Sequence, residues 1–250
     1  MDSTDTSFSL TTSLSYSPTR SSAPFSLLPR HLLRLRTAHH NLAREVPQCW
    51  CARMGMPTDE EMRGELERAV KEAQEQGKEG DLRIRLNVLP TGRPLAEAFP
   101  LPPMPDYPVR LVLDNQPTSY DDPFLRSKTT RRAKYDAARD RLGATLHLSD
   151  SPSDPPFDVV LCNPRGEITE TSISNLAFRF SRDPAAPFVT PRASCGLLEG
   201  VQRTELLDQG EVVEGVVTVD EVKKVVEQGD LEIICFNGVR GVFRAYIARE

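Results

Sequence analysis

Glu170 and Asn175 place a carboxylate and an amide inside the apolar strand–turn–strand pattern of residues 166–178, a stretch that is more than a surface hairpin. Upstream, Lys128 precedes a helix-like run in which Tyr135 and Ala138 fall on the same side. A neutral lysine amine is the group that forms an imine with an aldehyde and then shuttles a proton at the neighbouring carbon. Downstream, Gly200 opens a helix, and a glycine there leaves N–H groups and the positive end of the helix dipole aimed at an anion. Taken singly, each has a plain structural reading: a solvated lysine at a helix start, a solvent-side glutamate in a hairpin, an ordinary glycine turn.

The order of these segments carries more than any one of them. Lys128-Thr129-Thr130-Arg131-Arg132 with Tyr135, then Glu170-Thr171-Ser172-Ile173-Ser174-Asn175, then Gly200-Val201-Gln202-Arg203 resemble the fold-type IV pyridoxal-phosphate enzymes. That family includes branched-chain and D-amino-acid aminotransferases and aminodeoxychorismate lyase, and the lyase is the subgroup this chain is most similar to. Leu27-Leu28-Pro29-Arg30-His31-Leu32-Leu33-Arg34-Leu35 resembles its Leu-x-x-His-x-x-Arg-Leu segment, with His31 at the histidine. The resemblance implies an α+β, two-domain architecture like that of D-amino-acid aminotransferase, with pyridoxal 5'-phosphate between the domains. It implies Lys128 and Glu170 as catalytic residues, the first as the Schiff-base lysine and the second against the pyridine nitrogen. Tyr135 and Asn175 would line the cofactor, Val201 and Gln202 would donate N–H groups to its phosphate, Asn237 and Gly238 would form a second donor segment, and Arg34 would clamp the phosphate. A homodimer is implied as well. The chain departs from the family at Arg131, where asparagine is usual, at Ser15, where arginine would stand, and in lacking a Gly-Asp-Gly turn before the first long strand.

The elements that must position these groups are read from periodicity. Phe8, Leu10, Leu14 and Tyr16 alternate as a half-buried strand, and residues 17–24 read as a loop. Leu32, Leu33, Leu35 and Leu42 line one face of a helix to about residue 43; Thr58 and Glu61 make a capping box for a helix over 59–76, ended by Gly77. Residues 82–89 alternate as a strand, a turn follows at 90–92, then a proline-rich passage at 99–105 and a short strand over 109–113. Turn formers crowd 114–122, so the division is a small N-terminal α/β domain over 1–115, its first 24 residues open between order and disorder, a linker over 116–126 and a larger cofactor-binding domain over 127–250. In that half strands are expected at 158–162, 168–171, 176–180, 188–190, 231–236 and 242–247, with helices after Gly200 and over 220–228, giving a mixed or antiparallel sheet.

Composition narrows the classes. At 250 residues and 38% hydrophobic content the chain can bury one large core or two small ones. A net charge of -5 leaves no basic footprint for nucleic acid, and no apolar run approaches a membrane span. The acidic opening lacks a secretory signal, so the expected compartment is the cytoplasm. Five cysteines without a CxxC pair, and four histidines without ligand spacing to them, argue against a disulfide framework and against metal. The first expectation for function is a lyase releasing pyruvate from aminodeoxychorismate, with a small-molecule substrate. The alternatives are an aminotransferase acting on branched-chain or D-amino acids with the same lysine and glutamate, and a non-catalytic homologue.

Overall fold

The computed structural model describes residues 5–151, 153–181, 183–229 and 231–248. These form two compact units: the first runs through Pro103 and takes in Pro123–Arg131, while the second comprises Met104–Asp122 and the chain from Arg132 onward.

In the first unit, β1 (Leu10–Tyr16), β2 (Leu82–Val88) and β3 (Pro94–Pro100) make an antiparallel sheet in that order. The alternation read in β2 is literal: Leu82, Ile84, Leu86 and Val88 are buried and the arginines between them are exposed. Helix α1 (Leu28–Glu45) presents Leu28, Leu32, Leu35 and Leu42 to the same core, while Leu33, expected on that face, is exposed because it falls about 100° round the helix from Leu32, and α2 (Asp59–Glu75) adds Met62, Leu66 and Val70. The Thr58–Glu61 capping box is present in both directions. Phe8 and Trp50 complete the core, the indole N–H donating to Phe8 O at 3.0 Å. Strand β3 overlaps the passage expected to be irregular. It pairs on one side only with β2, and its prolines stand at its two ends, where a missing N–H costs least.

Residues 127–131 also belong to this unit, together with the short helix α3 (Pro123–Arg126). Thr11 N donates to Lys128 O and Thr130 N to Ser9 O, both at 3.0 Å, around an antiparallel bridge between Leu10 and Thr129. The free side of β1 therefore carries the Lys128 segment, which the sequence had assigned to the second domain. Strand β4 (Val109–Leu113), expected to close the first domain, lies instead in the sheet of the second unit.

That sheet has eight strands among the described residues, ordered β6-β5-β4-β11-β10-β7-β8-β9. They are β5 (Asp158–Cys162), β6 (Ile168–Thr171), β7 (Asn175–Arg179), β8 (Phe188–Pro191), β9 (Val212–Gly215), β10 (Glu232–Asn237) and β11 (Gly241–Ile247), beside β4. Pairings of β4 with β5 and β11, and of β8 with β9, are parallel and the rest antiparallel, so the sheet is mixed as expected. Strands β6 and β7 stand five places apart in this order. On a flat sheet that is roughly 24 Å, whereas the chain from Thr171 to Asn175 reaches at most roughly 14 Å. The sheet must curl, and Thr171 N donates to Ser174 O at 2.8 Å across the resulting tight turn. The curl brings the end of β6 to the start of β7. Helix α4 (Ala133–Leu142) packs on β5 and is tied down by Arg141, whose guanidinium grips Asp114 at 2.6 and 3.1 Å. Helices α5 (Val201–Asp208) and α6 (Val219–Gln228) complete the unit, the latter with a Thr218–Glu221 capping box and closure at Gly229. All five cysteines are free and buried, and no described helix is long and apolar enough to cross a membrane.

Candidate active site

Within the second unit, the curl of the sheet sets Glu170 at the end of β6 next to Asn175 at the start of β7, and both are buried. Tyr135 on α4 donates its hydroxyl to Glu170 Oε1 at 2.9 Å, and the Leu198 N–H donates to the same oxygen at 3.1 Å. Asn175 Nδ2 lies 3.5 Å from Oε2. A buried carboxylate fed by donors in this way is held in one orientation. Burial, reinforced by the charge of Glu170, pushes the Tyr135 phenol well above its usual range, so it remains a proton donor to the carboxylate.

Asn175 also joins Glu170 to the start of α5. Its Nδ2 donates to Leu198 O at 2.8 Å and its Oδ1 accepts the Gly200 N–H at 3.0 Å. A Cβ at residue 200 would lie 2.1 Å from Asn175 Oδ1, so glycine is required there by close approach. Gly200 is the N-cap, and Val201 and Gln202 open the helix, where first-turn N–H groups have no carbonyl one turn earlier. Beyond them Arg203 is almost wholly buried, donating to Pro191 O at 2.8 Å and pairing with Glu214, which clamps α5 to β8 and β9. Asn237 sits at the β10–β11 turn. Its Oδ1 accepts the N–H groups of Val239 and Arg240 at 3.0 and 2.9 Å, and its Nδ2 donates to Ser174 Oγ at 2.9 Å. The Asn237 amide thus shapes the turn containing Gly238 and fastens it to the Glu170–Asn175 loop; the side chain serves the frame.

The first unit holds the other group of expected residues. Arg34 on α1 donates from Nη2 to Thr12 Oγ1 at 2.7 Å, and His31 Nδ1 lies 2.7 Å from the same oxygen. The Arg34 Nε is buried and has no hydrogen-bond partner among the described residues. Its Nη2 bond and its partial side-chain exposure reconcile that buried nitrogen with a residue not fully enclosed. Burial lowers the guanidinium to about 10, so it stays charged at neutral pH. His31 is held well below the usual histidine range by burial first, then by the charges of Arg34 and of Lys128. Lys128 is half-buried and close enough for its charge to be felt at that ring.

Two of the three departures from the family pattern, Arg131 and Ser15, have local partners. Arg131 pairs with Asp5, donates to Ser7 Oγ at 2.6 Å and stacks on Phe124 at 4.1 Å, so it braces the first unit. Ser15 Oγ accepts from Nη2 of Arg20, in the following loop, at 3.1 Å. Sequence reasoning did not find Thr12, the Leu198 N–H or Tyr120. A backbone donor leaves no trace in residue type, and Thr12 reads as one more hydroxyl in a Ser/Thr-rich strand. Tyr120 donates or accepts at Thr169 Oγ1 across 2.9 Å, is buried near Glu170, and packs its Cβ where a side chain at Gly196 would have to go.

Comparison with known proteins fits this geometry. The family model described as amino-transferase class IV matches residues 17–245. A Schizosaccharomyces pombe protein provisionally named an aminodeoxychorismate lyase is 28% identical over 225 residues, covering 88% of this chain and 84% of its own. A Mesorhizobium loti structure provisionally described as an amino-acid aminotransferase is 27% identical, with a TM-score of 0.73 over 96% of this chain and all of its own. The 4-amino-4-deoxychorismate lyase structure from Pseudomonas aeruginosa shares the fold at a TM-score of 0.63 and 19% identity, over 97% of this chain and 83% of its own. The chain belongs to the class IV aminotransferases, a family of generally pyridoxal-phosphate-dependent aminotransferases and lyases.

Proposed function

We propose that this protein is a pyridoxal-phosphate-dependent lyase that eliminates pyruvate from 4-amino-4-deoxychorismate and leaves 4-aminobenzoate. The observation that carries the cofactor assignment is Arg34. A guanidinium whose Nε is buried without a partner, and which has no ion pair among the described residues, is costly unless an anion completes it. The phosphate of the cofactor is such an anion, and the Val201 and Gln202 N–H groups opening α5 are a second set of donors suited to it. Glu170, oriented by Tyr135 and Leu198, suits a pyridine nitrogen that must keep its proton. Asn175 holds Glu170 and Gly200 in register.

When bound, the cofactor supplies an electron sink for charge developing at the carbon that bears the substrate amine. Lys128 would hold the cofactor and would supply the amine that takes the proton from that carbon. Glu170 would accept the proton-bearing pyridine nitrogen as its hydrogen-bond partner. Loss of the enolpyruvyl group is driven by aromatisation of the ring, so no second substrate is consumed.

The lyase reading is supported by the relative of 28% identity, whose name is that activity. The Mesorhizobium loti structure, at 27% identity and full coverage, supports a second reading, an aminotransferase acting on branched-chain or D-amino acids. Incubation with 4-amino-4-deoxychorismate without any keto acid separates the two. The lyase releases pyruvate and 4-aminobenzoate in equal amounts, whereas activity that requires a keto acid acceptor and yields a new amino acid would replace it with the transaminase.

A further inference from the structure

Thr12, His31 and Arg34 form a hydrogen-bonded chain whose proton order can be read from its donors. Arg34 can only donate, so its Nη2 takes a lone pair of Thr12 Oγ1 at 2.7 Å and leaves the hydroxyl proton to point elsewhere. His31 Nδ1, 2.7 Å from the same oxygen, is the acceptor in place. Nδ1 is then bare, and the ring proton resides on Nε2. The reverse assignment would aim two N–H groups at the Thr12 oxygen and turn its hydroxyl proton away from the ring; the former order keeps that proton between the two side chains and leaves the Nε2–H of a histidine with no exposed surface without a partner among the described residues. The charges facing the ring, Arg34 from the same helix and Lys128 from the segment bridged to β1, are both positive and oppose a third.

We infer that Thr12 and His31 are positioning residues for Arg34, the neutral Nε2–H ring ordering the Thr12 hydroxyl so that its oxygen fixes the guanidinium for an oxyanion, here the cofactor phosphate. This rests on the pyridoxal-phosphate reading above. Neither residue need touch the cofactor: His31 Nε2 is itself buried. A free arginine side chain is rich in rotamers, and a guanidinium already held at one nitrogen loses less of that freedom when the anion arrives.

Two measurements on the full chain test this. The first needs no cofactor: nitrogen NMR of histidine-labelled protein, with the His31 signals assigned from a His31→Gln spectrum. The result expected is a neutral ring protonated at Nε2 and bare at Nδ1; a proton on Nδ1 would overturn the inference whatever the enzyme binds. The second compares affinities for pyridoxal phosphate and pyridoxal in the wild type, Thr12→Val and Thr12→Ser. Thr12→Val should lower the preference for the phosphorylated form about tenfold, with pyridoxal binding unchanged, and Thr12→Ser should restore it. A wild-type preference that survives Thr12→Val intact removes the positioning role alone. Absence of any preference in the wild type removes the cofactor reading and this inference with it.

Discussion

Replacing Gly200 with alanine puts the close approach at the head of α5 to a quantitative test. The added Cβ would stand 2.1 Å from Asn175 Oδ1 and 3.3 Å from Asn175 Cγ. The backbone there has φ -73° and ψ 144°, which any residue adopts, so the cost is steric and not conformational. Overpacking of this kind costs roughly 1–3 kcal/mol, and displacing Asn175 loses the Gly200 N–H bond, about 1 kcal/mol more. The total expected is about 2–4 kcal/mol. Asn175→Ala alone forfeits the bonds to Leu198 O and from Gly200 N, about 2 kcal/mol together. In the double variant the clash is gone, so Gly200→Ala should add almost nothing to Asn175→Ala. The assay is urea unfolding of the four proteins fitted with a common slope, read as a double-mutant cycle. A coupling of about 2–4 kcal/mol is expected, the whole cost of the alanine. Additivity within about 0.5 kcal/mol would refute the reasoning, since the two residues would then not be in contact.

Arg34→Met should weaken pyridoxal phosphate binding by about ten- to a hundredfold while leaving the stability of the cofactor-free protein unchanged or raised, because a half-buried cation with an unpartnered Nε is removed. Cofactor titration and thermal unfolding together check it, and equal affinity would take Arg34 out of the phosphate site. The His31 ring has its folded-state pKa lowered, so its contribution to stability is present above the unfolded value of about 6.5 and is lost as pH falls below it. Stability should drop by up to about 1.4 kcal/mol per pH unit over that descent, and His31→Gln should flatten that part of a stability–pH curve; an unchanged slope would mean that the ring is charged in the fold.

Much of the fold was legible where local periodicity and burial agree. The alternation of β2, the leucine face of α1 and the two Thr/Glu capping boxes are short-range signals that tertiary packing reinforces. Strand β3 was obscured by its alanines and prolines, because an edge strand tolerates residues that a central one does not. The four residues of β9 owe their pairing with β8 to the sheet and not to their own pattern. The placement of β4 and of the Lys128 segment is a long-range matter that no window of sequence contains. In the candidate site, Glu170 and Asn175 were singled out by their family segment, since each alone reads as an ordinary hairpin residue, and the curl that joins them to Tyr135 was not visible. Arg34 was found by its family segment, whereas its dependence on Thr12 is a product of packing across α1 and β1. The Arg203–Glu214 clamp inverts the usual rule that arginines are exposed, and only the buried geometry reveals it.

The claim on which the rest depends is that Lys128 carries the cofactor. Borohydride reduction of the purified protein with pyridoxal phosphate, followed by peptide mapping, tests it directly. One modified residue, Lys128, is expected, with no incorporation or turnover in Lys128→Ala. Label scattered over surface lysines, or a Lys128→Ala protein that turns over at the wild-type rate, would contradict it.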